Sequence, residues 1–355
     1  MSLDTRILLI GDSTYKMYSQ AFYDAWIKLG YQNIVYFRIN DYLDADSEKN
    51  RPLLRLCLRF EYKTAFGVHV KKMNKQLLRI ADQFQPQLVF LYNIRHIYAQ
   101  TLMQLKKSGS IIFFYSNDNP FGNYYPAYYW RHFRRGLSIA DTGFVYREKN
   151  ISDFKNAGCK IVHQLRSYYI EERNHYVENP SVQVPKVVFL GHYENDERGE
   201  YIKALLDRKI EVGIIKTSWE SFEEGNPYLV KLENTQALYN EMLNAAEIAI
   251  VFLSKINQDT YTRRCFEIPA TKTLMIAPYT EDIAAMFTVD EEVVIYSDKE
   301  EFVEKICYYL KHDAERKRIA EAGYRRLIAE KHEVTDRVKF ILEIYEQIHS
   351  DKLEA

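Results

Sequence analysis

The sequence predicts an α/β protein of two doubly wound domains, each with a mainly parallel sheet between layers of helices. Short apolar runs of strand length alternate with helix-length segments, and this alternation begins again after a polar stretch at 168–185. The chain has 355 residues, which is more than a single hydrophobic core usually organises. Strands joined through helices form right-handed parallel units, so each half should build its own sheet.

The strands are predicted from short apolar runs. In the first half these runs are TRILLIG (5–11), NIVYFRI (33–39), QLVFLYN (87–93), SIIFFYS (110–116), GFVYR (143–147) and KIVHQL (160–165). In the second half they are KVVFLG (186–191), EVGIIK (211–216), AEIAIVFL (246–253), TLMIAP (273–278) and EEVVIY (291–296).

Helices are predicted between these strands and in the C-terminal tail. In the first half they cover 15–29, 52–83, 96–107, 125–138 and 150–157. In the second half they cover 197–208, 235–246, a segment beginning near Thr262, 281–286, 298–311, 313–330 and 334–349. Apolar residues recur three and four positions apart in Lys299–Leu310 and Val338–Ile348, as they do in amphipathic helices.

The polar stretch at 168–185 is predicted to link the two domains, because it contains Pro180 and Pro185 and shows little periodicity. A ligand cleft is expected between the C-terminal ends of the strands of the two domains. The predicted boundaries are 1–167 for the N-terminal domain, 168–185 for the linker, 186–333 for the C-terminal domain, and 334–355 for a last helix that could pack back on the N-terminal domain.

Composition and charge exclude several classes of protein. Apolar residues make up 47% and charged residues 27% of the chain, so a globular protein is expected. The formal net charge of -1 gives no overall field that favours nucleic acid. The first predicted strand begins at Thr5, so no signal peptide is expected, and no apolar run approaches the roughly 20 residues that span a bilayer. The distant cysteines, Cys57, Cys159, Cys265 and Cys307, fit reduced thiols in the cytoplasm and predict no zinc site.

The segment NQDTYTRRCFEIPATKTLMIAP (257–278) carries the clearest ligand signal. It leads from one predicted strand through a polar loop and a short helix to the next strand. A helix that begins after a strand favours anions, and Arg263 and Arg264 add donors for phosphate oxygens. Glu267, one turn later, could bind ribose hydroxyls. The segment therefore predicts a nucleotide-diphosphate site, although Arg263 and Glu267 could instead form a simple surface pair.

Asp259 lies eight positions before Glu267. This spacing resembles the donor-binding region of GT-B glycosyltransferases, whose retaining branch often carries Glu–x7–Glu. The first acid is Asp here, and the usual glycine-rich surround is missing. A closer resemblance is to the spore-coat (CgeB-like) and group 1 glycosyl transferases, whose C-terminal domain typically reads Arg–x–Phe–Glu–x–x–Ala. The matching strings are Arg264-Cys265-Phe266-Glu267-Ile268-Pro269-Ala270 and, later, RIAEAGYRRLIAEKH (318–332) with Thr335 and Arg337.

The resemblance covers about 186–345 well, and over the N-terminal half it is one of architecture alone. It implies two Rossmann-like domains facing a central cleft, with the C-terminal helices closing the structure. It also implies a hexosyltransferase-type glycosyltransferase (EC 2.4) of cell-surface polysaccharide biosynthesis. Such an enzyme moves a sugar from a nucleotide-diphosphate donor to a hydroxyl of a glycan, glycolipid or protein. By analogy Asp259 lies near the donor sugar as a catalytic candidate, and the acid spacing favours retention of configuration.

Three further donor-side candidates rest on the same resemblance. The loop after the first strand of the C-terminal domain, which contains His192 and leads to Arg198, often touches the donor diphosphate in GT-B enzymes. Lys216 ends the next strand and is expected near the base or a phosphate. Arg198 could equally be a solvated charge on a helix.

In the N-terminal domain the acceptor-side candidates follow predicted strands. Gly11 and Asp12 begin a Gly-Asp-Ser-Thr string that predicts either a cradle for a phosphate or acceptor, or a helix N-cap. Asp118 lies in SNDNPFG (116–122), where a carboxylate could bind an acceptor hydroxyl or remove its proton as a catalytic group. The alternative for this string is a plain turn.

No metal or cofactor is predicted. Asp44-Ala45-Asp46 mimics the metal motif of GT-A glycosyltransferases, but nothing else in the sequence supports that fold. The leaving diphosphate would be stabilised by Arg263, Arg264 and the helix end.

Residues 51–79 contain many Lys and Arg residues and a single acid, with apolar residues interleaved. Such a segment predicts either contact with an anionic membrane, which would place the protein peripherally at the inner membrane face, or a solvated helix on the sheet.

Two other functions of the same fold stay open. One is a nucleotide-sugar epimerase, and the other is a non-catalytic nucleotide-sugar-binding protein of surface assembly. A dehydrogenase is not expected, because Gly11 and Gly191 each stand alone where a GxGxxG motif would be needed.

Overall fold

The structure is a computed structural model, and it describes residues 2–233, 235 and 237–354. The chain divides into two compact units. Unit 1 comprises Met1–Arg166 and Val334–Ala355, and unit 2 comprises Ser167–Glu333. Within the described residues each unit has one parallel sheet of six strands with helices packed on it. The predicted α/β fold with two doubly wound sheets is therefore confirmed.

The strands in chain order are β1 Ile7–Gly11, β2 Ile34–Arg38, β3 Leu88–Tyr92, β4 Ile111–Ser116, β5 Thr142–Val145, β6 Ile161–Gln164, β7 Val187–Phe189, β8 Val212–Ile215, β9 Leu229–Leu232, β10 Ile248–Ile250, β11 Leu274–Pro278 and β12 Val294–Tyr296. The helices are α1 Ala21–Lys28, α2 Asn40–Leu43, α3 Pro52–Thr64, α4 Val68–Phe84, α5 Ala99–Lys107, α6 Arg131–Leu137, α7 Asn150–Asn156, α8 Arg198–Asp207, α9 Leu238–Ala245, α10 Arg264–Ala270, α11 Glu281–Met286, α12 Lys299–Tyr309, α13 Asp313–Ala329 and α14 Val334–Glu354. A π-helical turn, Lys16–Gln20, precedes α1, and a 3₁₀ turn, Lys216–Ser218, follows β8.

Each sheet contains one point where the chain order reverses. The order in unit 1 is β2-β1-β3-β4-β5-β6, and the order in unit 2 is β12-β11-β10-β7-β8-β9. The loops after β1 and β3 therefore diverge in unit 1, and those after β7 and β10 diverge in unit 2. In open parallel sheets the crevice outside the strand ends at such a switch point is where ligands bind. The fold thus marks one candidate binding position in each unit.

Burial of the central strands holds each unit together. Every residue of β1, β3 and β4 is buried, as is every residue of β7 and β10. Covering both sheet faces with helices explains why these strands are continuously apolar in sequence. Each fully buried Leu, Ile or Phe side chain contributes about 1.5–3 kcal/mol relative to an exposed one.

Three local expectations differ from the structure. The long helix expected at 52–83 is two helices, because Ala65 takes a left-handed conformation (φ 51°) and Gly67 has φ 147°. The helix expected at 125–138 begins only at Arg131, after a turn that contains Pro126. Strand β9 was not expected, and it pairs with β8 at the sheet edge.

Residues 168–185, predicted as a linker, are grouped with unit 2. Their backbone donors explain this, because the N–H groups of His175 and Val177 donate to Asn240 and Asn244 of α9 at 3.1 and 2.7 Å. Helix α14 is grouped with unit 1, where it packs on α1. The domain boundaries drawn from the sequence stay a prediction.

Candidate functional site

The candidate donor site of unit 2 lies at its switch point. Strand β10 ends at Ile250, and the loop that follows leads into α10, which begins at Arg264. Glu267 lies in the first turn of this helix. Strand β7, the neighbour of β10, ends just before Gly191. The Arg264 side chain, at the start of α10, therefore lies beside the end of β7.

Arg264 is a half-buried cation without a carboxylate partner. Its guanidinium carbon lies 5.3 Å from the centre of the Phe189 ring. Its Nε atom is buried and donates no hydrogen bond, and the side chain forms no ion pair with any residue that the structure describes. A desolvated cation without a counter-charge is costly. An anionic ligand would supply the missing partner.

Gly191 allows Arg264 to approach the end of β7. A Cβ atom at this position would lie 3.1 Å from the Arg264 guanidinium carbon and 2.4 Å from the Phe189 ring. The Gly191 carbonyl accepts a hydrogen bond from the buried Trp219 indole at 3.0 Å. The tryptophan thereby fixes the backbone at the point where a diphosphate would approach.

Glu267 is nearly buried, with 7% of its surface exposed. Its Oε2 atom accepts a hydrogen bond from the Tyr239 hydroxyl at 2.9 Å. Burial and then the negative charge of Glu267 raise the pKa of Tyr239 well above its usual range, so the phenol keeps its proton and donates. Glu267 is thus an oriented acceptor in the first turn of α10, suited to a pair of hydroxyls.

Two cations accompany Glu267. The guanidinium carbon of Arg263 lies 4.4 Å from the centre of the Tyr168 ring. Burial lowers the pKa of Arg173, whereas the charge of Glu267 raises it. The structure places Arg263, Arg264 and Glu267 together at the start of α10. It adds Arg173 and Tyr239, which the sequence analysis did not single out.

The Arg198 guanidinium is already paired within the protein, unlike an arginine that is open to a phosphate. The residue is buried, and its Nε and Nη2 atoms each lie 2.8 Å from an Asp196 carboxylate oxygen. Its Nη1 and Nη2 atoms also donate to the carbonyls of His192 and Leu253 at 2.6 and 3.3 Å. Glu194 completes the cluster at 3.2 Å. These bonds fasten the loop after β7 to the chain after β10, which is a positioning role.

The other two donor-side candidates from the sequence lie at the surface. His192 is exposed, and its contact with Arg198 is through its backbone carbonyl. Lys216 is exposed, and its Nζ atom donates to Glu233 at 2.6 Å. Neither side chain is held at the end of β7 as Arg264 is.

Asp259 lines a cavity of about 360 Å³ beside the ends of β10 and β11. Arg198, Tyr201, Tyr296 and Pro278 also line this cavity. The backbone N–H of Asp259 donates to the Ser254 carbonyl at 2.9 Å, which ties the loop back on itself. The two acids of the Asp–x7–Glu pattern therefore lie in different settings, one on this loop and one on a buried helix turn.

Unit 1 has its own cavity, of about 520 Å³, at the switch point between β1 and β3. We call it the unit 1 cavity. Its lining combines carboxylates, a cation and aromatic rings, among them Asp12, Tyr62, Arg95, Asp118, Tyr129 and Trp130.

Asp12 follows β1 and is bound within unit 1. Its two carboxylate oxygens accept from the Thr14 N–H and the Tyr62 hydroxyl, both at 2.8 Å. Burial alone would raise the pKa of Asp12, but the hydrogen bonds from Thr14, Tyr62 and Asn40 outweigh it and leave the pKa lowered. Asp12 is therefore an ionised hydrogen-bond acceptor. The helix N-cap, which was the alternative for this string, is not seen, because the π-helical turn that follows has no side-chain cap.

Gly11 is required by a close approach. A Cβ atom at Gly11 would lie 2.3 Å from the Ser19 Cβ atom. Ser19 donates to the Asp12 carbonyl at 2.6 Å and shares a hydrogen bond with the Tyr36 hydroxyl at 2.7 Å. Gly11 thus shapes the backbone beside the cavity and offers no side chain for binding.

Asp118 follows β4 and accepts a hydrogen bond from the Asn93 amide at 2.9 Å. The Ser116 hydroxyl lies 2.7 Å from Asn93 Oδ1 and 3.1 Å from the Asp118 carbonyl. The segment is also a turn, closed by the Gly122 N–H donating to the Asn119 carbonyl at 3.2 Å. The turn therefore presents the Asp118 carboxylate to the unit 1 cavity.

Arg95 was not anticipated. It is buried, its guanidinium carbon lies 3.7 Å from the centre of the Tyr129 ring, and it donates to the carbonyls of Tyr62 and Lys63 at 2.6 and 3.0 Å. These carbonyls belong to the last turn of α3, whose dipole favours a cation. The sequence signal that could have identified Arg95 is its position just beyond the predicted strand at 87–93.

The comparisons with known proteins agree with this geometry. Residues 198–343 match the family model described as glycosyl transferase-like. No curated protein matches the sequence significantly.

The chain is similar in structure to several solved proteins. Sucrose-phosphate synthase from Thermosynechococcus elongatus aligns with a TM-score of 0.71 at 11% identity, over 98% of this chain and 100% of that one. A glycosyltransferase from Rickettsia africae aligns with a TM-score of 0.68 at 12% identity, over 97% and 98% of the two chains. HepE from Anabaena, solved with UDP, aligns with a TM-score of 0.64 at 10% identity, over 97% and 100%. The predicted resemblance is confirmed: the chain has the fold of the GT-B glycosyltransferases, and residues 198–343 match the glycosyl transferase-like family.

Proposed function

We propose that the protein is a glycosyltransferase that moves a sugar from a nucleotide-diphosphate-sugar to a hydroxyl of a glycan, glycolipid or protein. The observation that carries this proposal is Arg264. It is a half-buried cation without a carboxylate partner at the switch point of unit 2, beside Gly191 and one turn before Glu267. Guanidinium groups bind phosphate oxygens in pairs, and an oriented carboxylate binds ribose hydroxyls.

In this proposal unit 2 binds the donor. Arg264 holds the diphosphate, and Arg263 supports it. Glu267, oriented by Tyr239, accepts from the ribose hydroxyls. Charge develops on the diphosphate as the glycosidic bond breaks, and fixed guanidinium groups stabilise that charge without a metal ion. Lys216 and His192 have at most a peripheral part, because both lie exposed at the surface.

Unit 1 presents the acceptor. The unit 1 cavity combines the carboxylates of Asp12 and Asp118 with the aromatic rings of Tyr129 and Trp130, a lining that suits a saccharide. Asp118 is proposed to accept the proton or hydrogen bond of the attacking hydroxyl. Asp259 is proposed to lie near the donor sugar, and retention of configuration rests on the Asp–x7–Glu spacing.

The first donors to test are uridine nucleotides. Anabaena HepE, which has the same fold, was solved with UDP and with UDP-glucose. A role in cell-surface polysaccharide biosynthesis, as the sequence resemblance implies, would fit an acceptor that is a growing glycan.

A basic and apolar surface on unit 1 supports contact with an anionic membrane. The side chains of Leu53, Leu56 and Phe60 lie along one outward stripe of α3 and are 83%, 67% and 58% exposed. Phe66, in the connection to α4, and Val68, the first residue of α4, are also exposed, at 55% and 59%. We call these five residues the apolar stripe.

The single acid of 51–79, Glu61, is buried, and three of the basic residues, Arg51, Arg55 and Arg59, pair with Glu48 and Asp46. The other basic residues are exposed on α3 and α4, and we call them the basic rim: Lys63, Lys71, Lys72, Lys75 and Arg79. Apolar side chains with a basic rim suit an anionic bilayer surface. None of the described helices combines the length and hydrophobicity needed to cross a bilayer. We propose that this surface contacts the inner, cytoplasmic face of a membrane, which would suit a lipid-linked acceptor.

The test is turnover of UDP-sugars with and without saccharide acceptors by the wild-type chain and by Arg264→Ala and Glu267→Gln. Transfer or donor hydrolysis that falls at least tenfold in both variants is expected, because each removes a proposed donor contact. Arg325→Ala, an exposed arginine of α13 in unit 2, is the matched control and should keep wild-type rates. Wild-type turnover in both site variants would refute the assignment. An isomerised donor without acceptor would indicate an epimerase, and nucleotide binding without any product would indicate a binding protein.

A further inference from the structure

Three side chains of types that bind metal ions in proteins lie together at the corner between α3 and α4 in unit 1. They are Cys57 and Glu61, one turn apart on α3, and His69 near the start of α4. The Glu61 Oε1 atom lies 2.9 Å from His69 Nδ1 and 3.4 Å from Cys57 Sγ. The three ligand-type atoms all lie within 4.8 Å of one another. No other such group occurs in the part of the chain that the structure describes.

The Glu61 carboxylate is fixed in place by its other oxygen. Glu61 Oε2 accepts from the backbone N–H groups of His69 and Val70 at 2.7 and 3.0 Å. Gly67 makes room for it, because a Cβ atom at that position would lie 2.2 Å from the Glu61 carboxyl carbon. Oε1 is therefore directed at Cys57 and His69 by a rigid second layer of contacts, the arrangement that orients metal-binding carboxylates.

Capping of α4 explains only part of this cluster. A carboxylate that accepts the first N–H groups of a helix stabilises the helix, and a hydrogen bond from a histidine is an ordinary addition. The cap does not account for a thiol on the same carboxylate oxygen. Thiolate, imidazole and carboxylate together are the ligand set of zinc.

We propose that Cys57, Glu61 and His69 bind one zinc ion through Sγ, Oε1 and Nδ1. Zinc–ligand bonds of about 2.0–2.3 Å require ligand atoms roughly 3.3–3.8 Å apart in a tetrahedron. The two separations from Glu61 Oε1, 2.9 Å to His69 Nδ1 and 3.4 Å to Cys57 Sγ, reach this by an opening of a few tenths of an ångström. The third pair, Cys57 Sγ and His69 Nδ1, lies within 4.8 Å and would adjust by rotation of the exposed Cys57 side chain. Cys57 is exposed, so solvent can fill the fourth position.

The ion would fasten α3 to α4 across the break at Gly67. Binding releases the thiol proton, because zinc binds the thiolate. No zinc site was predicted from the sequence, because the cysteines are far apart and form no CxxC pair. The fold brings Cys57 together with Glu61 and His69.

The test is a cobalt titration of the full-length chain after removal of metal with a chelator. One equivalent of cobalt should produce a near-ultraviolet thiolate-to-cobalt absorption, and zinc should displace it. Cys57→Ser should abolish the band, and His69→Gln should weaken cobalt binding at least tenfold. Cys307→Ser removes a half-buried cysteine of α12 and should leave the band unchanged.

Thermal unfolding gives a second readout. Zinc should raise the melting temperature of the wild-type chain and of Cys307→Ser, because a ligand of the native state stabilises it by mass action. Cys57→Ser should show no such rise. The absence of a thiolate band in the wild-type chain, or a band and a zinc-dependent rise that both persist in Cys57→Ser, would overturn the proposal.

Discussion

At the scale of single residues, the candidate donor site depends on which charges are already paired. Arg198 and Arg264 both follow strand ends, and in sequence they look alike. The structure gives Arg198 a buried cluster of Asp196, Glu194 and two carbonyls, whereas Arg264 forms no ion pair with a described residue. The paired Arg198 positions a loop, and Arg264 is therefore the arginine that we propose as the ligand contact.

Tyr239→Phe tests the orientation of Glu267. Removing the hydroxyl leaves a nearly buried carboxylate oxygen without its donor, so the free energy of unfolding should fall by about 1–3 kcal/mol. Nucleotide affinity should fall as well if Glu267 binds the ribose. Denaturant unfolding and calorimetric titration measure the two effects.

The matched control is Tyr308→Phe, which removes an equivalent 2.9 Å bond from an exposed tyrosine to Glu315. Its effect on stability should stay within about 0.5 kcal/mol. Equal losses of unfolding free energy in Tyr239→Phe and Tyr308→Phe would contradict the expectation that the buried contact to Glu267 stabilises the protein more than the exposed contact to Glu315.

His96 makes unit 1 sensitive to acid. Burial, and then the charge of Arg95, lower the pKa of His96 to about 3, and its Nε2–H donates to the Tyr62 carbonyl at 2.8 Å. The unfolded chain takes up this proton below about pH 6.5, whereas the folded chain does not. The contribution of His96 to the free energy of unfolding is therefore complete above about pH 6.5. Between about pH 6.5 and about pH 3 this contribution is lost, by up to about 1.4 kcal/mol per pH unit.

Urea unfolding at about pH 7.5 and about pH 5 measures this effect, with a loss of about 2 kcal/mol expected from His96. His96→Gln keeps a donor for the Tyr62 carbonyl and should reduce the loss. His132, whose pKa burial and then Arg131 lower to about 4, contributes in the same range and is unchanged in that variant. The exposed His312→Gln is the control. An unchanged pH dependence in His96→Gln would contradict the assignment.

At the scale of helices and strands, the sequence predicted the strands that have a clear apolar run and missed β9, which has none. Strands β3 and β4 are buried on every residue, so their apolar runs are unbroken. Strand β9 is a short edge strand with partly exposed residues, and its LVKL sequence carries little pattern. The break between α3 and α4 depends on the conformations of Ala65 and Gly67, which the helical periodicity of 52–83 conceals.

Helix α3 gives the element-scale prediction. Replacing Leu53, Leu56 and Phe60 by Ser should abolish co-sedimentation with vesicles rich in anionic lipid, because the apolar stripe can no longer insert. Stability should change little, since these side chains are exposed.

Neutral vesicles are the lipid control, because the basic rim should not be attracted to them. The matched protein control is Leu3→Ser, an exposed leucine near the N-terminus that lies outside α3. Binding of the wild-type chain that is equal on neutral and anionic vesicles, or that persists in the triple variant, would contradict membrane docking through this stripe.

At the scale of the whole molecule, the fold predicted from the sequence is confirmed, whereas the candidate donor residues stay a prediction. Arg263, Arg264 and Glu267 came from one contiguous string. Tyr239 and Arg173 lie 28 and 94 positions before Glu267 and reach it only through the fold. The zinc ligands were hidden for the same reason, because their spacing follows no linear motif.

The central claim is that Arg264 binds the diphosphate of a nucleotide donor. Calorimetric titration of UDP and of uridine into the wild-type chain and Arg264→Ala tests it most directly. We expect the variant to bind UDP about 10–100-fold more weakly and uridine with unchanged affinity, because only the phosphates contact the guanidinium. Wild-type UDP affinity in Arg264→Ala, or an equal loss for UDP and uridine, would contradict the account.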